Sequence, residues 1–218
     1  MMGLEFATGS NGGPEILCLG AHSDDIEIGA LATIMNIARN HPTAKVTWVV
    51  FSAIGDRADE AHTSAHRCTQ DFETADIRLY EYRDSFFPSA ADAIKATMLQ
   101  VRDDCRADLV FTHGRDDRHQ DHRVISDLTW QVFRDNLILE YEVPKYDGDF
   151  GIPNLFQPVS EDLADEKVSI LEEFFSSQRS KRWFTPDLFR AVMRLRGMEC
   201  NSASGMAEAF FCRKAVLG

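Results

Sequence analysis

The run Ile16-Leu-Cys-Leu-Gly20 is apolar throughout, and the polar stretch Ala21-His-Ser-Asp-Asp25 follows it directly. A short continuous apolar run is typical of a strand that is covered on both faces of a sheet. Apolar residues then recur at helical spacing from Ile26 to Ala38, which predicts a helix over about Asp25–Arg39. A buried strand that leads straight into an amphipathic helix opens a parallel strand–helix–strand unit.

The same alternation continues along the first two thirds of the chain. Further strands are predicted at Val46–Phe51, Ile77–Tyr82 and Leu109–Thr112, and further helices at Ala58–Ala75, Ala90–Cys105 and Val124–Phe133. This order predicts an α/β fold with a mostly parallel sheet and helices on both faces. If the strand order is 3-2-1-4, the first and fourth strands are neighbours, and a ligand crevice opens at their carboxyl ends.

The last third of the chain is less regular. We predict a strand at Ile138–Val143, a loop at Tyr146–Pro158, helices at Asp162–Ser177 and Pro186–Arg196, and a closing segment at Ala207–Cys212. No linker separates this part, so a single domain is expected over residues 1–218, with residues 1–14 as a loose lead-in to the first strand.

Composition narrows the classes of partner. The 218 residues include 44 % hydrophobic and 27 % charged residues, with a formal net charge of −12. This charge argues against a broad nucleic-acid or anionic-membrane surface, although a small basic pocket for an anionic substrate remains compatible with it. No apolar stretch approaches the roughly 20 residues that span a bilayer, so no membrane insertion is expected. Five scattered cysteines without a CxxC pair predict free thiols and a cytoplasmic location.

Two polar clusters stand where two of the predicted buried strands end. His22, Asp24 and Asp25 follow the first strand, and His119-Gln-Asp-His122 follows the fourth. Because the carboxyl ends of neighbouring parallel strands open into one crevice, we expect the two clusters to meet. The assumed strand order carries this step, since the sequence spacing alone does not.

The residue types in these clusters suit a catalytic divalent metal. Imidazoles with one carboxylate are a common zinc set, in which three protein ligands leave a position open for water. Asp24 and Asp25 are consecutive and point in different directions, so one can bind metal while the other faces the bound water. A metal lowers the pKa of its water from about 15.7 to about 7, and a nearby carboxylate that accepts the remaining proton contributes about 10²–10⁴ in rate.

Each cluster also has a simpler explanation. Asp24 and Asp25 could cap the helix that follows them, since acidic residues favour its positive end. The run Asp116–Arg123 could be a solvated polar loop. Their joint occurrence at the ends of two buried strands favours a site. Of the other histidines, His113 closes the fourth strand and is a candidate supporting residue.

The motifs Ala21-His-Ser-Asp-Asp25 with Ile26–Gly29, and His119-Gln-Asp-His122, resemble those of the LmbE-like, or PIG-L, de-N-acetylase family. The resemblance covers most of the chain, although Ser23 stands where the family usually has proline. It implies a Rossmann-like three-layer sandwich whose metal site lies at the carboxyl ends of strands 1 and 4. It also implies a zinc-dependent hydrolase that removes acetyl groups from N-acetylglucosaminyl substrates.

Position by position, the resemblance makes His22, Asp25 and His122 the ligands of one zinc ion, although Fe²⁺ or Co²⁺ would fit the same donors. It makes Asp24 the general base. It gives His119 a role at the oxyanion and the leaving amine, while Asp121 orients a histidine.

Three further residues are predicted to contact the substrate, a small amino sugar. Arg57 offers a fixed fork of donors to a hydroxyl or phosphate, although an ion pair with Asp56 or Glu60 explains it equally well. Arg118 stands beside a catalytic histidine and could meet an anionic group. Glu208 matches a family position near the pocket. A homo-oligomer is compatible with this prediction.

Two other functional classes remain open from the residues alone. A metal phosphoesterase would need about two more ligands to hold two metals roughly 3.5–4 Å apart. Asp56, Asp84 and Asp116 are available but follow no such pattern. A non-catalytic sugar- or metal-binding module would keep the metal ligands without needing Asp24.

Overall fold

The computed structural model describes residues 13–216, so most of the predicted lead-in over residues 1–14 lies outside the described residues. Seven strands form one sheet in the order β3-β2-β1-β4-β5-β7-β6. They are β1 (Glu15–His22), β2 (Lys45–Ser52), β3 (Thr74–Leu79), β4 (Leu109–His113), β5 (Leu137–Tyr141), β6 (Leu155–Pro158) and β7 (Ala207–Cys212). The first five strands are parallel, whereas β7 runs antiparallel to both β5 and β6. The predicted order 3-2-1-4 is confirmed.

Six helices cover the two faces of this sheet. They are α1 (Asp25–Asn40), α2 (Asp56–Thr69), α3 (Ala91–Asp104), α4 (Gln120–Val132), α5 (Glu161–Phe174) and α6 (Pro186–Glu199). One apolar core lies between the sheet and α1, α2, α5 and α6. A second core lies between the opposite face and α3 and α4. The predicted three-layer α/β fold with a mostly parallel sheet is therefore confirmed.

The central strand β1 explains why its sequence is apolar without alternation. Ile16 and Cys18 belong to the core beneath α1, whereas Leu17 and Leu19 belong to the core beneath α3 and α4. Because both faces of β1 are covered, every one of these side chains is buried.

One predicted helix was too long, and the strand after it was displaced. The helix expected over Ala58–Ala75 ends at Thr69 as α2, and β3 runs from Thr74 to Leu79 rather than from Ile77 to Tyr82. Thr74 and Ala75 pair with Lys45 and Val46 of β2. Pairing with a neighbouring strand therefore decides these residues, and helical periodicity does not reveal it.

The predicted loop Tyr146–Pro158 contains a strand that the sequence analysis missed. Its last four residues form β6, which pairs with β7 at the edge of the sheet. The predicted helix Asp162–Ser177 is α5 followed by a short 3₁₀ turn at Ser176–Gln178. At α4 the helix begins four residues before the predicted Val124, so the polar cluster of that segment forms its first turn.

Close packing fixes the beginning of α1 against the sheet. Gly29 lies on the ring of Tyr141 in β5, and a Cβ at this position would overlap that ring. The Tyr141 hydroxyl donates to the carbonyl of Leu19 in β1 at 2.7 Å. Glycine is therefore required here because the ring of Tyr141 packs directly against the backbone of α1.

The structure also bears on the expected lack of membrane insertion and on the state of the cysteines. Within residues 13–216, no helix has both the length and the apolar character needed to cross a membrane. All five cysteines are unpaired, and three of them are buried.

Candidate metal centre

A cleft of about 280 Å³ opens where β1 and β4 end. Both polar clusters contribute to it, as the strand order requires. Six residues predicted for the site line this cleft: His22, Asp24, Asp25, Arg57, His119 and His122.

Three side chains converge at its floor. Nδ1 of His22 lies 3.2 Å from Oδ2 of Asp25 and 3.2 Å from Nε2 of His122. Nε2 of His122 lies 3.4 Å from Oδ1 of Asp25. The exposed fractions of the three residues are 6 %, 3 % and 2 % for His22, Asp25 and His122, respectively. Their ring nitrogens and carboxylate thus meet at the largely buried floor of the cleft.

The donor set and its spacing fit a zinc ion. Zinc–nitrogen and zinc–oxygen bonds of about 2.0–2.2 Å place two tetrahedral ligands about 3.4 Å apart. The nitrogen and oxygen atoms of these three side chains lie 3.2–3.4 Å apart. His119 offers an alternative third nitrogen, because one candidate metal group comprises His22, His119 and His122. Three protein ligands leave a fourth position open, as in catalytic rather than structural zinc sites.

Each of the two candidate histidine ligands has a carboxylate on its other nitrogen. Nε2 of His22 lies 3.2 Å from Oδ2 of Asp121, and Nδ1 of His122 lies 2.9 Å from Oδ2 of Asp117. An ionised carboxylate only accepts, so each of these ring nitrogens carries the proton. The opposite nitrogens, Nδ1 of His22 and Nε2 of His122, are then free to bind a metal.

The carboxylate of Asp121 lies against the ring of His22. This carboxylate is fully buried and also accepts from the backbone N–H groups of Ser85 at 2.6 Å and Phe87 at 3.1 Å. From the sequence, Asp121 was expected to orient a histidine, but no particular histidine was specified. In the structure the histidine that its side chain touches is His22.

Asp24 stands beside the metal position and is held by an arginine. Its Oδ1 accepts from Arg57 at 2.9 Å, and Arg57 also contacts Asp84 at 3.3 Å. Asp24 is the residue before α1, but its side chain makes no capping hydrogen bond. The simpler explanation of this residue as a helix cap is therefore not supported by the geometry.

His119 precedes α4 and lines the cleft. Its Nδ1 accepts from the backbone N–H of Asp121 at 3.3 Å, which leaves the proton on Nε2 in the neutral ring. Burial, His122 and His22 lower the pKa of His119. Near neutral pH this ring is therefore a neutral hydrogen-bond donor.

Neighbouring charges shape the other ionisations. Burial and the adjacent Asp25 raise the pKa of Asp24, against the opposing effects of Arg57 and His22. For Asp25, burial acts upward, but His122, His22 and His113 outweigh it and hold the pKa well below its usual range. The two consecutive carboxyl groups therefore differ in pKa: that of Asp24 is raised, whereas that of Asp25 is lowered.

Three predicted residues do not line the cleft. Asp121 lies behind His22, as described above. Arg118 has an exposed side chain outside the cleft, and its backbone N–H donates to Asp149. Glu208 is buried beneath α1, where it accepts from the backbone N–H groups of Ala32 and Thr33 and pairs with Lys167. The assignment of Glu208 as a substrate contact is corrected, because neither Glu208 nor any of these partners lines the cleft.

Arg57 does face the cleft, and its partners differ from those weighed in the sequence. It pairs with Asp24 and Asp84, whereas Glu60 accepts hydrogen bonds from Ser176 and Ser177.

Sequence reasoning missed the roles of three residues and understated a fourth. Asp84, Asp117 and Lys145 each touch a site residue, and none belongs to either motif. Asp84 could have been found as an acid near the carboxyl end of the third strand. His113, a weak candidate from sequence, is fully buried, stacks on His122 at 3.9 Å, and has its pKa lowered to about 4 by burial and by His122.

Comparison with known proteins now adds to this geometry. Residues 17–133, more than half of the chain, match the family model "PIG-L: GlcNAc-PI de-N-acetylase". The chain belongs to this family. A relative in Escherichia coli K12, described as the uncharacterized deacetylase YaiS, is 28 % identical over 168 residues, which cover 72 % of this chain and 89 % of YaiS. The family and this relative place the chain among hydrolytic N-deacetylases.

Solved structures share the fold. The N,N'-diacetylchitobiose deacetylase of Pyrococcus horikoshii superposes with a TM-score of 0.69 at 19 % identity, covering 90 % of this chain and 82 % of that one. GalB of Pseudomonas putida KT2440, a 4-carboxy-2-hydroxymuconate hydratase, gives a TM-score of 0.76 at 16 % identity, covering 94 % and 98 %. At such identities the likeness concerns the fold alone, and the second example indicates that this fold also serves a different reaction.

Proposed function

We propose that this protein is a zinc-dependent hydrolase that removes the acetyl group from an N-acetylated amino sugar. The observation that carries the proposal is the convergence of Nδ1 of His22, Oδ of Asp25 and Nε2 of His122 within 3.4 Å of one another, beside Asp24 in an open cleft. The amino-sugar substrate is supported by the family description, and the cytoplasmic location by the free cysteines.

His22, Asp25 and His122 would hold the metal. When bound there, zinc supplies Lewis acidity and brings the pKa of a coordinated water to about 7. Asp24 accepts the proton of the attacking water, because it lies in the cleft beside the ligands and its pKa is raised by burial and Asp25. Arg57 holds the Oδ1 atom of Asp24 and so fixes the direction of this proton transfer.

The remaining residues act on the amide. His119 presents its Nε2 proton towards the cleft, where it stabilises the negative charge that develops on the carbonyl oxygen as the tetrahedral centre forms. The proton that Asp24 has accepted is then available to the leaving nitrogen, which departs as the free amine while acetate remains. Arg57 and Asp84 border the same space and are proposed to bind sugar hydroxyls.

Two other reactions are separated from this one by specific observations. A two-metal phosphoesterase needs two complete ligand sets, and a second set apart from Asp25 and His122 would have to bind through His22, Asp84 and Asp121. Asp121 and Asp117 occupy the second nitrogens of these rings, which supports one ion per chain. Two metal equivalents after removal of loosely bound ions would instead favour the phosphoesterase. A hydratase reaction would release no acetate.

The test is acetate release from N-acetyl sugars, nucleotide sugars and thiol glycosides by the zinc-loaded protein. Asp24→Asn should lower the rate by about 10²–10⁴, because the water loses its general base. Asp116→Asn is the matched control, since the Asp116 side chain is 86 % exposed and pairs with Arg213 outside the cleft. Its rate should equal that of the parent. No acetate from any member, or equal rates for Asp24→Asn and the parent, would overturn the proposal.

A further inference from the structure

A buried chain of charges leads from the metal ligand His122 to the loop that borders the cleft. Asp117 accepts from Nδ1 of His122 at 2.9 Å and from Nζ of Lys145 at 2.9 Å, both on its Oδ2 atom. Lys145 in turn contacts Asp149 at 2.7 Å. The side chains of these three charged residues are 10 % exposed or less, so water screens them weakly.

Asp117 fixes both histidines of the second motif. Its other oxygen, Oδ1, accepts from the backbone N–H of His119 at 2.7 Å. One carboxylate therefore sets the ring orientation of a metal ligand and the backbone position of the cleft histidine. Burial raises the pKa of Asp117, but His122, His113 and Lys145 outweigh it and keep this carboxyl ionised.

Lys145 is the only lysine or arginine within residues 13–216 whose side chain is hydrogen-bonded to Asp117. Its ammonium also donates to the backbone carbonyl of Val143 at 3.3 Å. Lys145 belongs to the cleft wall together with Pro144, Tyr146 and Asp147. The same side chain thus contacts the group that orients His122 and holds the backbone that faces the substrate.

We propose that Lys145 is a positioning residue, which holds Asp117 so that Nε2 of His122 points to the metal and which ties this ligand to the loop over residues 143–149. The inference rests on the proposed metal site. In the usual carboxylate–histidine–metal arrangement, Asp117 would orient His122. The inference adds Lys145 as the residue that holds Asp117. It also gives the cleft wall a physical connection to the metal centre.

The test is zinc affinity, measured by competition between the zinc-loaded full chain and a chromophoric chelator. Lys145→Met removes the ammonium and keeps the length of the side chain. We expect zinc binding to weaken by about tenfold or more, since loss of partners around a ligating histidine typically costs about 10–100-fold. Lys145→Arg keeps the charge and the donors and should recover most of the parent's affinity.

Lys181→Met provides a matched control within the same cleft. Lys181 also lines the cleft, but it makes no ion pair among residues 13–216. Removal of a positive charge near a cation site by itself favours cation binding. Lys181→Met should therefore leave zinc affinity unchanged or raise it, and a positioning role of Lys145 requires the opposite sign.

The outcomes separate this inference from the proposed function. Zinc affinity equal to or above that of the parent in Lys145→Met would overturn the positioning role, and so would a parent that binds no zinc. Weaker zinc binding together with an unfolding midpoint in chelator equal to that of the parent would support it. Lys145→Arg and Lys145→Met could instead lower the unfolding midpoint equally, with zinc affinity as weak in Lys145→Arg as in Lys145→Met. That result would overturn the positioning role and indicate a purely structural one. Acetate release by the parent reports on the deacetylase proposal independently.

Discussion

Two buried groups of charged side chains lie along α1, and they differ in how their polar atoms are satisfied. In the first, which we call the anchor pair, Glu208 accepts from the backbone N–H groups of Ala32 and Thr33 and from Lys167. Lys167 also donates to the carbonyl of Ile28 at 2.7 Å. In this group each charge meets a partner of the opposite kind.

In the second group, the metal triad of His22, Asp25 and His122, potential acceptors face each other. With their protons directed to Asp121 and Asp117, Nδ1 of His22 and Nε2 of His122 bring lone pairs towards the Asp25 carboxylate. Such an arrangement is costly unless a metal ion or a proton lies between the acceptors. The comparison gives a criterion for buried charges. A structural charge is paired with donors of the fold, whereas a charge arranged for a ligand faces other acceptors.

The largest expected effect on folding comes from the anchor pair. Lys167→Met leaves the Glu208 carboxylate buried, at 4 % exposure, without its counter-ion. Loss of one partner of a buried ion pair costs about 3–5 kcal/mol, so the free energy of unfolding in urea should fall by that amount. Zinc affinity should not change. If Lys167→Met were as stable as the parent, the ion pair of Lys167 with Glu208 would not stabilise the fold, and the contrast with the metal triad would fail.

A double replacement sharpens this prediction. Lys167→Met with Glu208→Gln removes both charges and leaves an amide that can still accept from α1. It should be more stable than Lys167→Met alone, because no uncompensated charge remains. Equal stability of the two variants would show that lost packing rather than charge causes the effect.

The metal triad should behave in the opposite manner, since under the proposed function the bound zinc stabilises it. At zinc concentrations 100 times the dissociation constant, the free energy of unfolding of the parent should rise by about 2.7 kcal/mol. His122→Ala should lose this zinc-dependent increase, whatever the stability of its metal-free form. Thermal unfolding with and without zinc measures both. A zinc-induced rise that persists in His122→Ala would place the metal elsewhere.

The smallest effect is expected at the end of the charge chain. Asp149→Asn leaves the contact of Lys145 with Asp117 intact, although it removes one of the two carboxylates of that lysine. Zinc affinity should therefore fall by less than about tenfold, and by less than in Lys145→Met. The same chelator competition measures it. A loss of zinc affinity larger than that of Lys145→Met would contradict this prediction. It would mean that Asp149 supports the metal site more strongly than the contact of Lys145 with Asp117 does.

The sequence predicted the sheet and the two motifs because their signals are local. Apolar runs of strand length and helical periodicity follow from side-chain burial, and the polar residues after β1 and β4 stand where each run ends. The edge strand β6 was missed because its four residues are only partly buried and are held by pairing with β7. The start of β3 was missed for the same reason.

By itself, the sequence determined the α/β alternation, the family, and six of the residues that line the cleft. The tertiary structure decided which carboxylate serves which histidine, that Glu208 belongs to the fold, and that Asp84 and Lys145 border the cleft. The physical reason is that a motif records neighbours along the chain, whereas a hydrogen bond joins neighbours in space. Lys145 lies 28 residues from Asp117, and only the packing of the loop after β5 against the loop after β4 brings the two together.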